Sequence, residues 1–325
     1  MNDSSSDLPA DTDKTLRING VEIDATFAEA FDMKATRIIV TADDRTWLAD
    51  AAAAMTGFAS SVIACGVEMG VERWLDGSET PDGREGVAIL AFAVSGSELE
   101  KQIPRRAGQC VLTCPTTALY AGILGDRSVY PKRVPLGKTL RYFGDGHQIA
   151  KVIASTKETN SPRRFWRVPV MDGEFVCEHD VPRVDGVGGG NFILLGDSIA
   201  AVTKACRAAI AAMNESCGII TPFPGGVTRS GSKVGSKYKS LFASTNDAYC
   251  PTLKHVVDST LDDRTQAVLE IVIDGMTPDE VADSMRVGIH AACDAAADDG
   301  LHRISAGNYG GKLGRHHFHL HEVLA

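Results

Sequence analysis

The chain carries one order of predicted elements twice, and this repeat constrains its fold more than any single motif. The first copy opens on "TRIIVTA", a short apolar β-type run. The Ala-rich stretch "DDRTWLADAAAAMTGF" follows and reads as a helix that Gly57 can end. Next come "SSVIAC" as a strand, "SETPDGREG" as a loop and "VAILAFAV" as a strand. In "SGSELEKQIPRRAGQ", Ser and Glu stand where a helix start places them, and "CVLTCPTTALY" closes the copy as a strand or strand end. The second copy runs "NFILLGDS", the Ala-rich helix "IAAVTKACRAAIAAMNE", "CGIITPF" and "AVLEIVIDG". It ends on the helix "MTPDEVADSMRVGIHAACDAA", with Thr277 as cap and Pro278 at the first helical position, and on "HRISAG". Gly196-Asp197 ends the first strand of this copy as Ala42-Asp43 does in the other. Strand, helix, strand, loop, strand, helix, strand is the split βαβ order of ferredoxin-like folds. The expected class is therefore α+β: two ferredoxin-like lobes from an internal duplication, with β-rich insertions.

Between the copies, "RRFWRVPVMDGEFVCEHD" reads as a hairpin turning at Asp172-Gly173. Pro169 must then occupy an unpaired or edge position. The expected division is a disordered acidic tail over 1–15, an N-terminal lobe over 16–150, the connecting hairpin over 151–186 and a C-terminal lobe over 187–325. The start, "MNDSSSDLPADTDK", has neither a basic n-region nor an apolar h-region, so no secretory leader is expected. No apolar run is long enough to span a membrane. Eight cysteines lie scattered without a CxxC pair and read as reduced thiols, which points to the cytoplasm. A net charge of -9 argues against nucleic acid as a partner.

Several motifs fail on context. "GVGGGNFILL" would need a helix after its glycines to hold a dinucleotide, and a strand follows instead. "LGKT" lacks the first glycine of a phosphate loop, since Lys132 holds that place. "GRHHFHLHEVL" puts His317, His319 and His321 on one face of a strand, a poor tetrahedral set for zinc. A metal-dependent hydrolase built on these histidines is a minor reading, and no metal is expected. Cys110 and Cys114 carry no mark of an activated nucleophile.

One carboxylate stands out. Glu270 interrupts the strand "AVLEIVIDG", where alternation places it with Val268 and Val272, opposite Leu269, Ile271 and Ile273. Either it lies on a half-wet sheet face, or it is a buried acid kept protonated by a low-dielectric site. Around it the chain supplies loops of small and polar residues: "GVGGGN", "TPFPGGVTRSGSKVGSKY", "ASTNDAYCPT" and "ISAGNYGGKLG". Glycine lets backbone approach a ligand, and Lys233, Lys237 and Lys312 offer cations to anionic tails. Four such loops read as the wall of a binding cleft.

At this point the chain resembles the formylmethanofuran:tetrahydromethanopterin formyltransferase family. The resemblance begins near Arg17. It is carried by "INGVEIDATFAEAF", "ETPDGREGV", "YFGDG", "GVGGGNF", "PFPGG", "SKVGSK", "ASTNDAYCPT", "EIVIDG", "MRVGI", "ISAGNYGGKLG" and "HLH", in that order. It implies transfer of a formyl group between the amine of methanofuran and a ring nitrogen of tetrahydromethanopterin. Those two are substrates, and no bound cofactor is implied. It also implies a homotetramer built from dimers. The glutamate of "EIVIDG" resembles the family's buried acid, which makes Glu270 the expected catalytic residue. Gly188, Gly189, Asn191, Lys233, Ser236, Lys237, Ser244, Asn246, Ser305 and Asn308 are the expected substrate-binding residues.

The acidic N-terminal extension, "STKETNSPRR" and "RHH" look unlike the family core and read as a docking surface. A relative of these enzymes works inside a bacterial formyltransferase/hydrolase complex, so hydrolase subunits are expected candidate partners. The alternative to an acyl-transfer enzyme is a non-catalytic scaffold subunit of such a complex.

Overall fold

The computed structural model describes residues 16–153 and 162–325. The acidic tail and most of "STKETNSPRR" lie outside the described residues. The protein mixes α and β structure, with seven α-helices among the described residues set against a fourteen-stranded sheet.

In the first half the sheet runs Ala118–Ala121, Phe27–Thr41, Gly86–Ala93, Glu68–Leu75, every neighbour antiparallel. The second half repeats this as Leu301–Ser305, Val184–Gly196, Ala267–Gly275, Ile219–Ile220. Counted along the chain, both orders are fourth, first, third, second. The helices also start alike. Asp44 and Ser198 cap the first helix of each half, and Ser95 and Thr277 cap the second, each accepting backbone N–H groups of the first turn. Alanines make close packing possible: Ala201, Ala205 and Ala209 bury one face of their helix in the second core, with Ile271, Ile273 and Met285. Leu48, Met55, Ile89 and Ile103 fill the first.

The two halves share strands. Phe27–Thr41 pairs at its start with His316–His319 and at its end with Gly86–Ala93. Val184–Gly196 pairs first with Phe27–Thr41 and then crosses to Ala267–Gly275, with a register shift between Val187 and Gly190. Leu16–Ile18 and Val21–Ile23 join the second half's sheet beside Leu301–Ser305. A small apolar cluster of Met33, Ala35, Leu90, Phe92 and Ile220 seals the contact between halves.

The predicted hairpin forms, Arg163–Val170 to Gly173–Glu178, but its turn is Met171-Asp172, one residue before the expected Asp172-Gly173, because Gly173 already pairs with Val170. Pro169 lies past the last pairing of Ile149–Ile153, which begins opposite Arg167, so the missing N–H faces an open edge.

Two local expectations are corrected, "SSVIAC" and the histidine face, and two are narrowed. "SSVIAC" is not a strand: Ser61 caps a single helical turn, Val62–Cys65, and Gly66 at φ +74° ends it. The strand follows it, as Glu68–Leu75. In "CVLTCPTTALY" the helix runs on as a wide turn over Ala107–Val111, and only Ala118–Ala121 is a strand. "CGIITPF" pairs only over Ile219–Ile220. The final strand stops at His319, so His321 sits on the helical turn Leu320–Val323 and shares no strand face with His317. No helix among the described residues is long and apolar enough to cross a membrane. All eight cysteines are unpaired thiols.

Candidate active site

Glu270 is held on both sides by backbone. It stands opposite Ile193 on one neighbour. On the other, its N–H donates to Thr228 O at 3.0 Å and its carbonyl accepts the Thr228 N–H at 2.8 Å. That pinning fixes where the side chain points. Ile271 and Ile273 enter the second core, while Glu270 and Val272 turn to a cleft of about 500 Å³ between the two halves. Phe31, Met33, Val62, Ile63 and Val94 form its wall from the first half, and Phe223, Val272 and Tyr309 complete it from the second. Gly188, Gly189, Asn191, Thr228, Gly231 and Glu270 supply its polar floor.

The carboxyl of Glu270 lies between two glycines. A Cβ on Gly231 would stand 2.5 Å from Oε2, and one on Gly307 would stand 3.6 Å from Oε1. Among the described residues no group hydrogen-bonds this carboxyl. Burial alone pushes its pKa up to about 7, because a charge there has lost water and gained nothing in exchange. Gly231→Ala should therefore displace the carboxyl and lower kcat by roughly tenfold to a hundredfold, given how steeply rates fall with misplacement. Steady-state kinetics on a variant with unchanged melting temperature would check this, and wild-type turnover would refute it.

Asn191 braces the floor. Its Nδ2 donates to Gly189 O and to Gly307 O, both at 3.1 Å, and its Oδ1 accepts the Gly307 N–H at 2.6 Å. A second acid braces the rim. Glu29, 1 % exposed, accepts four backbone N–H groups, from Tyr309, Gly311, Leu313 and Gly314, at 2.6 to 2.8 Å. Those bonds outweigh the cost of burying its charge and hold its pKa at about 2. The loop so tied brings Tyr309 to the cleft.

The predicted binding residues divide by position. Gly188, Gly189 and Asn191 line the cleft with Glu270. Asn246 lines a smaller recess that also reaches Glu270. Ser305 sits in the same cross-strand row, opposite Ile193, with its Oγ 3.1 Å from Tyr249 Oη. Lys233 is paired with Asp247, both contacts at 2.6 Å. Ser244 donates to Gly235 O, Ser236 accepts the Tyr238 N–H, and Asn308 donates to Thr26 and Phe27, so these three shape loops. Lys237 is exposed and lines neither the cleft nor the recess. Of the C-terminal histidines, His316 meets Asp32 at 2.9 Å, His317 and His319 flank the Phe27 ring, and His321 donates to Ile23 O. No cluster of metal-ligating side chains forms among the described residues.

Sequence reasoning missed the apolar wall, Gly231 and Gly307 as neighbours of the acid, and Glu29. A second cavity of about 510 Å³ beside Arg127, Arg133 and Arg163 shares no residue with the cleft, and these arginines are paired with Asp180 and Glu178.

Known proteins share this architecture. Residues 16–170 match the family described as formylmethanofuran-tetrahydromethanopterin formyltransferase, and residues 173–323 match that described as FTR, proximal lobe. The chain is 67% identical to the formylmethanofuran--tetrahydromethanopterin formyltransferase of Rhodopirellula baltica, covering 98% of this chain and 96% of that one. Its fold superposes with a TM-score of 0.90 on a chain of the formyltransferase/hydrolase complex from Methylorubrum extorquens, solved with methylofuran. Identity there is 50%, and coverage is 95% of this chain and 99% of that one. The Methanosarcina barkeri formylmethanofuran:tetrahydromethanopterin formyltransferase gives a TM-score of 0.85 at 42% identity, covering 95% of this chain and all of that one. The two family matches abut at the hairpin turn, and with these relatives they establish that the chain belongs to the formylmethanofuran-tetrahydromethanopterin formyltransferase family.

Proposed function

We propose that this protein transfers a formyl group between the amine of methanofuran and a ring nitrogen of tetrahydromethanopterin, with Glu270 as the acid that stabilises the intermediate. The observation that carries the reading is a carboxyl at the floor of a largely apolar cleft, with no donor among the described residues, where burial pushes its pKa up to about 7. The acceptor nitrogen attacks the formyl carbon, and the carbonyl electron pair moves onto oxygen. Neutral Glu270 donates a hydrogen bond to that oxyanion. Collapse expels the first amine, which takes up the proton lost by the attacking nitrogen. Flat rings suit a cleft walled by Phe31, Phe223 and Tyr309. Gly188, Gly189, Asn191, Asn246 and Ser305 are the binding residues this reading favours by position; Lys233, Ser236, Lys237, Ser244 and Asn308 would act from the surrounding loops.

The same proposal takes the two halves as duplicated ferredoxin-like lobes, divided by the hairpin segment 151–186, which the matching strand orders and cap positions support. It places the protein in the cytoplasm as a homotetramer built from dimers, alone or with hydrolase subunits. Exposed apolar side chains on one loop, Tyr238, Leu241 and Phe242, support self-association. Purified protein supplied with formylmethanofuran and tetrahydromethanopterin should produce formylated pterin, followed by absorbance. A folded protein that yields none, with or without hydrolase subunits, would overturn the reading.

A further inference from the structure

Four residues beyond Glu270 on the same strand, Asp274 faces the same side of the sheet and is fully buried. Its Oδ1 accepts the Gly189 N–H at 3.1 Å. Its Oδ2 has no donor among the described residues. The group it meets is another carboxyl, that of Glu68 at the start of Glu68–Leu75, in the other half of the molecule. Glu68 is also buried, and its Oε1 accepts the Val62 N–H at 2.9 Å. Among the described residues no Lys, Arg or His pairs with either acid. Two ionised carboxylates in contact without a cation repel strongly in a low-dielectric site, while one proton between them makes a hydrogen bond.

We propose that Glu68 and Asp274 share one proton, carried on Asp274 Oδ2, and that this clasp between the halves positions the glycine floor of the cleft. The geometry runs in one connected line. Asp274 packs directly beneath the Gly188-Gly189 bulge, where a Cβ on Gly188 would fall 2.9 Å from Oδ1, and Gly189 takes φ +90°. The Gly189 carbonyl accepts from Asn191, and Asn191 holds Gly307 beside the Glu270 carboxyl. Fixing Gly189 thus fixes the backbone against which substrate lies. Burial acts in the same direction, raising both acids and Asp274 the more. Glu68 also lines the cleft, and through Asp274 and Gly189 the pair acts as a positioning device.

Its substrate-side readout rests on the formyl-transfer reading. Asp274→Asn keeps an oxygen for the Gly189 N–H and a donor for Glu68. It should leave the melting temperature at the wild-type value and both kinetic constants within about threefold of wild type. Asp274→Leu loses both contacts and should raise KM by about tenfold, with a smaller fall in kcat. Glu68→Ala is the second variant if Asp274→Leu fails to fold, and it should raise KM in the same direction. Glu270→Gln, measured alongside, should instead lower kcat. Damage by Asp274→Asn equal to that by Asp274→Leu would overturn the shared proton. Wild-type KM in folded Asp274→Leu or in Glu68→Ala would overturn the positioning role. If wild type transferred no formyl group, the function would fall, and the clasp would still be read from calorimetric Kd for formylmethanofuran and from melting temperatures.

Discussion

Glu270→Gln should lower kcat by about 10²-fold and, above pH 7, make the protein more stable than wild type. Both effects come from the same half-buried carboxyl at the cleft floor. Its pKa is about 7 in the fold against an ordinary 4.5, and the cause is burial. The neutral form is the hydrogen-bond donor, so turnover should be highest on the acid side and fall as pH rises through about 7. Gln keeps the shape but donates weakly and cannot ionise, so that limb should vanish. The sign for stability is opposite to that of a salt-bridged acid. Because the folded state holds the proton more tightly, stability falls as pH rises from about 4.5 to 7. The full shift corresponds to roughly 3 kcal/mol. Gln removes that penalty, so its melting temperature should exceed wild type at pH 8 and match it near pH 4.5. A flat kcat profile in wild type, or equal melting temperatures at pH 8, would return Glu270 to sheet architecture.

That acid was legible because it breaks a local rule: a lone carboxyl in an apolar strand run has to be explained. Its partners were not legible, because they come from elsewhere in the chain. Gly231 and Gly307 approach Glu270 only after three strands and two loops are assembled, and glycine in a loop looks the same whether it faces solvent or a carboxyl. The repeat of elements was readable from Ala-rich helices and from caps at Ser95 and Thr277, all signals within one turn of chain. "SSVIAC" was misread because its apolar residues do not mark a buried strand. Ile63 is 67% exposed at the cleft wall, and only Cys65 of that turn is buried. Lys233 reads as a free cation in sequence, yet the fold brings Asp247 to it. Asp274, placed just before Gly275, looks like turn punctuation, and only the packing of Glu68 against it from the other half reveals an acid pair.

Glu29→Gln is expected to destabilise the protein by roughly 3–5 kcal/mol, the range for breaking a buried charged network. Each carboxylate oxygen of Glu29 takes two N–H groups: Oε2 from Tyr309 and Gly311, Oε1 from Leu313 and Gly314. An amide can satisfy one pair only. Its NH₂ would face the other two donors, leaving buried N–H groups unpaired. Without this anchor the loop from Asn308 to Gly314 loses its template, and Tyr309 leaves the cleft wall with it. The substitution should therefore raise KM as well as lower the melting temperature. Glu29→Asp, one methylene shorter, should fall between wild type and Gln. The pH signature is distinct from that of Glu270. A carboxylate held at about 2 adds stability that is complete above its unfolded value near 4.5 and is lost as pH falls toward 2. Wild type should thus lose stability across that acid window, and Glu29→Gln should lose less across it, so the gap between them narrows as acid is added. A constant gap from pH 6 to pH 3 would mean that the loop is held by packing of Tyr309 against Phe31, and not by the charge of Glu29.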